Sequence, residues 1–179
     1  AMPTLLSVSS ITNTTVTETG YNNCFINKAT VDINSAVNLD TYAGKYYDKV
    51  DFVSSSVGVS SGGSLTGTNS NQIGIAQRSY NGATVGSINL SNGGTISMSG
   101  SDSTGIAGDF ATITNSLAGI ITISGNKSTG IFSANGSLTE NSGMINVNTS
   151  GTGNSAVGIY GSNNFGSSAA TYGDQKINI

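Results

Sequence analysis

The chain has 179 residues and a formal charge of -3; 8% are charged, 36% are hydrophobic, and there is one proline, one cysteine and no histidine. Nucleic-acid binding needs clustered Lys and Arg to displace counterions, and no such cluster occurs, so nucleic acid is not an expected partner. Without histidine, and with Cys24 alone, Ser-His-Asp and Cys-His nucleophile systems, the common zinc ligand sets and an internal disulfide are excluded, and no metal or other cofactor is expected.

The composition is rich in Ser, Thr, Asn, Gly, Val and Ile, with Pro3 the single proline. Low charge and scarce proline argue against a disordered chain, and abundant Thr, Val and Ile favour extended structure. No segment holds the spacing of an amphipathic helix for more than a turn or two. The class is therefore all-β. No apolar run reaches the length of a bilayer span and no secretory signal is present, so direct membrane insertion is not expected. Ala1-Met2 reads as a cloning remnant.

Taken in order, residues 1–70 show short alternating strands without a recurring landmark. Val31 and Ile33, Val37 and Leu39, Val50 and Phe52, and Val57 and Val59 each put two apolar side chains on one face. Gly20, Asn22-Asn23, Gly44 and Gly62-Gly63 break them. The expectation is an N-terminal cap with irregular β coils over 1–70, because a first coil must shield unpaired backbone groups and an open core. Within it, residues 40–51 gather five charges and three tyrosines. Tyr offers a large rigid contact area at low entropic cost, which makes Tyr42, Lys45, Tyr46, Tyr47 and Asp48 candidate ligand-binding residues. The plainer reading of this segment is a polar strand pair whose charges discourage edge-to-edge aggregation.

A repeat runs from 71 to 179. Gly105-Ile106, Gly130-Ile131 and Gly74-Ile75 match, as do Asn115-Ser116 and Asn141-Ser142. Gly94, Gly119 and Gly143 each lead an alternating strand, which sets a period of about 24–25 residues and points to stacked coils. The step from Gly74 to Gly105 is longer, so one coil carries an insertion of about one strand, near Gln77 to Gly86. Alternation in Ile88/Leu90, Ile96/Met98, Ile121/Ile123 and Ile145/Val147 predicts an inward aliphatic face, with Asn89, Ser97, Thr122 and Asn146 outward. Glycines ahead of strands are expected to allow the positive φ and the close backbone approach of a tight corner, and Asn115 and Asn141 to tolerate left-handed conformations and bond their own backbone. These requirements are met by a right-handed parallel β-helix, a single continuous solenoid over 71–179.

The run Ser128-Thr129-Gly130-Ile131-Phe132-Ser133-Ala134-Asn135-Gly136-Ser137, followed by Asn141-Ser142-Gly143-Met144-Ile145, resembles the passenger regions of large autotransporter adhesins. These are type V secreted surface proteins of Gram-negative bacteria, and the resemblance covers about residues 71–179. It implies a stalk-like β-helix displayed at the cell surface, as an outer-membrane-anchored passenger or secreted. It also implies adhesion to host cells or other bacteria through a protein or glycan receptor. Recognition is then expected on corners and insertions: 40–51, 77–86 and 161–169.

Two other roles compete with adhesion: a passive spacer, and a polysaccharide-degrading β-helix using acid pairs such as Asp48 with Asp51 or Asp102 with Asp109. No catalytic residue is assigned, and the chain is read as non-enzymatic. Trimeric autotransporter heads, built from repeats of about 14 residues, fit the steps 131–145 and 145–159 but not 121–131. A monomeric solenoid is therefore preferred.

Overall fold

The computed structural model describes residues 23–27, 30–41, 49–53, 56–77, 88–109, 111–134, 137–148, 155–162 and 176–178. They form stacked coils of up to three strands each. The first coil holds β1 (Asn23–Asn27), β2 (Thr30–Ile33) and β3 (Ala36–Asn38), followed by a 3-10 turn at Leu39–Thr41. The second holds β4 (Lys49–Val53), β5 (Ser56–Val59) and β6 (Ser64–Gly67); the third β7 (Ile73–Gln77), β8 (Ile88–Asn92) and β9 (Thr95–Met98). The fourth holds β10 (Thr104–Asp109), β11 (Ala111–Asn115) and β12 (Ile120–Ile123); the fifth β13 (Thr129–Ala134), β14 (Leu138–Asn141) and β15 (Met144–Val147). Two strands of a sixth follow, β16 (Val157–Ser162) and β17 (Lys176–Asn178).

The strands stack into three sheets: A (β1-β4-β7-β10-β13-β16), B (β2-β5-β8-β11-β14-β17) and C (β3-β6-β9-β12-β15). Each strand pairs in parallel with its counterpart one coil away, for example β9 with β12 and β12 with β15. This is an all-β parallel solenoid. Its sheets run through from the first coil, so strands before residue 70 that lack the sequence landmark share them with the later ones.

The register explains the repeat. In sheet C, Leu65, Ile96, Ile121 and Ile145 lie in one row, and Met98, Ile123 and Val147 in another. Sheet A stacks Ile75, Ile106, Ile131 and Ile159; sheet B stacks Val57, Leu90 and Ile113. The rows meet in one core, in which Ile96, Ile106, Ile113, Ile121 and Ile131 are wholly buried. Each such side chain contributes about 1.5–3 kcal/mol by leaving water. Outward, Asn146 Nδ2 donates to Thr122 Oγ1 at 3.3 Å, one rung of the expected polar ladder.

The glycines bear out the close backbone approach read from the sequence and correct the positive φ read with it. Gly94, Gly119 and Gly143 do not sit at positive φ; among the described residues Gly62 is the glycine that does, at 86°. They are small because successive coils touch there: a Cβ on Gly143 would lie 2.3 Å from Gly119 O, and one on Gly94 2.3 Å from Gly63 O. The left-handed corner falls instead on Asn71 (61°), Asp102 (55°) and Lys127 (56°), each two residues ahead of its sheet A strand. Asn and Asp accept this conformation readily; lysine does not. Lys127→Asn, at an exposed side chain, is therefore expected to raise stability by about 1 kcal/mol, read as a higher urea midpoint at unchanged slope.

Asn115 and Asn141 divide in the same way: neither is at a left-handed corner, but each bonds nearby backbone, Asn115 Nδ2 to Gly119 O and Asn141 Nδ2 to Gly143 O. With Asn92 they form an amide ladder at the end of sheet B, in register across three coils. Asn92 Nδ2 donates to Asn115 Oδ1 at 2.9 Å, and Asn115 Nδ2 donates to Asn141 Oδ1 at 2.8 Å. The same Nδ2 groups also donate to carbonyls of the sheet C turn, from Asn92 to Ile120 O and from Asn115 to Gly119 O and Met144 O. Asn92 and Asn115 are fully buried. A second ladder explains why Ser-Thr-Gly-Ile stands at both 103–106 and 128–131: buried Ser128 Oγ donates to Gly100 O at 3.0 Å and accepts Ser103 N–H at 3.2 Å. Both ladders satisfy corner backbone groups that water cannot reach.

One buried hydroxyl has no such partner. Thr139 lies beside Ile113 in the aliphatic row of sheet B, fully buried, and its Oγ1 has no hydrogen-bond partner. An unsatisfied buried hydroxyl costs about 1–3 kcal/mol. Thr139→Val keeps the shape and removes that cost, so a gain of about 1 kcal/mol is expected in urea unfolding.

Candidate binding surface

The candidate residues Tyr42, Lys45, Tyr46, Tyr47 and Asp48 lie outside the described residues, as do 78–86 and 163–169. What is described are the places where those segments join the solenoid. Residues 78–87 separate β7 from β8 and 163–175 separate β16 from β17, so both fall at the corner between sheets A and B. Elsewhere that corner is short: residue 110 alone separates β10 from β11. Of the acid pairs weighed for hydrolysis, Asp48 is outside the described residues. Asp102 precedes β10 and Asp109 is its last residue, so the strand separates the two acids.

Asp40, where the charged segment begins, acts as a bracket between coils. Its carboxylate accepts hydrogen bonds from Thr68 N–H (3.0 Å), the Thr68 hydroxyl, Asn69 N–H (3.3 Å) and Gln72 Nε2 (2.8 Å). Burial is the largest single influence and raises its pKa; the bonds from Thr68, Gln72 and Asn69 together outweigh it, so the group titrates below its usual 3.8. A depressed carboxyl contributes stability above its unfolded pKa and loses it as pH falls through the folded one. The stability difference between the native chain and Asp40→Asn is therefore expected to be largest near neutrality. It shrinks as pH is lowered below 3.8, which thermal melts across pH would show.

The outward rows are hydroxyl- and amide-rich, with Thr112 and Thr114 on sheet B and Ser97, Thr122 and Asn146 on sheet C. Two apolar features interrupt them. On sheet A, Ala107, Phe132 and Tyr160 occupy one outward column. The Phe132 and Tyr160 rings stack with centroids 5.5 Å apart and planes 15° from parallel, leaving Tyr160 half exposed beside Val157. Such a pair is worth about 0.5–1.5 kcal/mol beyond its buried area, which rigidifies the column. At the turn from sheet B to sheet C, Leu117 is 85% exposed, three residues before Ile120, which is exposed beside its register neighbour Met144 on the outer face of sheet C.

Sequence reasoning missed both features. The signal for the first was available, since Phe132 and Tyr160 each follow a core isoleucine at equivalent points of the repeat. Chemically, this surface offers ring faces, methyls and neutral donors and acceptors; among the described residues no group of three or more Cys, Asp or Glu could hold a metal ion. Comparisons with protein families, with curated proteins and with solved structures find no match to this chain.

Proposed function

We propose that this chain is a segment of a surface-displayed passenger solenoid of the autotransporter type, used for attachment of the cell that carries it to a host cell or another bacterium. The observation that carries this reading is the outer column of sheet A. Phe132 and Tyr160 form a stacked aromatic pair that continues the outward column of Asp51, Ala76 and Ala107. An exposed Tyr on a preordered scaffold gives contact area at little entropic cost, and neighbouring neutral hydroxyls add hydrogen bonds without strong desolvation. Glycans and polar protein surfaces are the ligands such chemistry suits.

The test is retention of the chain on epithelial cells, bacterial cells and an arrayed glycan panel, beside Tyr160→Ala and a chain lacking residues 78–87. Attachment is supported by binding that either change weakens at least several-fold. A second reading, the passive spacer, is favoured by the tight corners between sheets B and C, where residues 34–35, 93–94 and 142–143 suffice. Absence of binding to every surface would move the assignment to a spacer. New reducing or unsaturated ends in the glycan panel would move it to polysaccharide degradation.

A further inference from the structure

The aromatic column of sheet A holds a ring face in mid-stack that no other ring covers. Phe132 lies in β13, between β10 and β16. Its rear face is stacked on Tyr160, with centroids 5.5 Å apart and planes 15° from parallel. Rings so nearly parallel, on strands about 4.8 Å apart, stand across the axis of the stack. The opposite face of Phe132 is therefore turned along that axis toward β10, where its partner in register is Ala107. The next rung, in β7, is Ala76. A single methyl group cannot hide a phenyl ring, and among the described residues Tyr160 is the one ring against Phe132. Phe132 and Ala107 are both partly exposed. The result is a step with an aromatic wall and an alanine floor, open to water above.

We propose that this step is a subsite for a neutral pyranose ring, taken face-on as a further member of the stack. This rests on the attachment reading and names the ligand of that surface. Tyr160 displays what the column accepts: a flat six-membered ring at stacking distance and nearly parallel. The face of Phe132 is the negative side of its quadrupole, which attracts the weakly positive C–H groups on one face of a pyranose. With a single wall the step stays wet, so a wholly apolar group placed there would keep its far side in water. A pyranose avoids this, because its C–H face is covered while its hydroxyl rim remains hydrated.

Phe132, Ala107 and Tyr160 carry no charge, so an ionised sugar finds no counterion at the step. Asp51, in register two rungs from Ala107 and about 10 Å away, further disfavours acidic sugars. Tyr160 is a positioning residue here. Packed against the rear of Phe132, it keeps that ring upright instead of letting it fold down over Ala107.

Saturation-transfer NMR of the full chain with methyl β-D-glucopyranoside and methyl β-D-galactopyranoside tests this, with sorbitol as an acyclic polyol control. Binding in about the millimolar range is expected, with transfer concentrated on the C–H protons of one sugar face and none to sorbitol. Ala107→Phe fills the step with another ring, and Phe132→Leu removes the wall; each is expected to weaken binding about tenfold or more. Tyr160→Phe should bind as the native chain does, and Tyr160→Ala several-fold more weakly. Ala107→Phe adds a rung to an outer stack, so its urea midpoint should not fall, which separates a blocked site from a damaged fold. Pyranoside binding that survives Ala107→Phe overturns the proposal. So does preference for N-acetylphenylalanine amide over both sugars, which would make the step a docking point for a protein side chain. Cells held equally by the native chain and Ala107→Phe overturn the subsite and leave attachment standing. Pyranoside binding without retention on any cell upholds the subsite and overturns attachment.

Discussion

Asn115→Ala is expected to remove about 3–5 kcal/mol of stability, more than truncation of any outward side chain. The side chain is fully buried between two like neighbours, and its loss strands groups on both sides. Asn92 Nδ2 loses its amide acceptor and keeps Ile120 O at 3.2 Å, whereas Asn141 Oδ1 loses its donor from the ladder. Gly119 O and Met144 O lose a shared donor as well. Each buried polar group left without a partner costs about 1–3 kcal/mol, and a void adds to it. Asn115→Asp separates hydrogen bonding from packing, because it keeps the shape but directs a carboxylate oxygen at Asn141 Oδ1 and two carbonyls. Its folded pKa must rise above the unfolded value of about 3.9. The variant is then closest to native stability in acid and loses stability as pH climbs through that window, the opposite sense to Asp40. Urea unfolding at several pH values reads both effects. In a stack of coils the loss should appear first as local opening of β8, β11 and β14, visible in amide exchange.

The parts of the molecule legible in the sequence are those governed by strand alternation. Ile96, Ile121 and Ile145 fall in one row because spacing by a full coil returns each to the same point of sheet C. The same rule holds before residue 70, where Val37 stacks on Leu65 and Leu65 on Ile96. It was hidden there because corner lengths vary, so equivalent residues lose a constant spacing. Alternation is silent on polar residues that point inward. Asn115 reads as a corner residue and Asn92 gives no signal of its own until the stack shows that each amide is satisfied by its neighbours. Glycine was ambiguous for a similar reason. The sequence shows that a small residue recurs but not whether φ or the distance to the next coil demands it.

Glycine also allows the sharpest test of that distinction. Gly125→Ala would place a Cβ 1.9 Å from Gly100 O and 2.4 Å from its carbonyl carbon. Both are backbone atoms, so no side chain can swing aside; the turns that leave the third and fourth coils must part at the corner between sheets C and A. That strains the bond from Ser124 N–H to Met98 O (3.0 Å) and the one from Ser128 Oγ to Gly100 O (3.0 Å). The cost expected is about 3–4 kcal/mol, at the upper end for overpacking. Gly62→Ala is the counterpart, with φ at +86° and nothing within 4 Å of the added Cβ. It pays only for the left-handed conformation, about 1–2 kcal/mol. Urea midpoints for the two variants therefore rank Gly125→Ala below Gly62→Ala. The reverse order would mean that backbone conformation, and not the closeness of stacked coils, is what requires glycine at these corners.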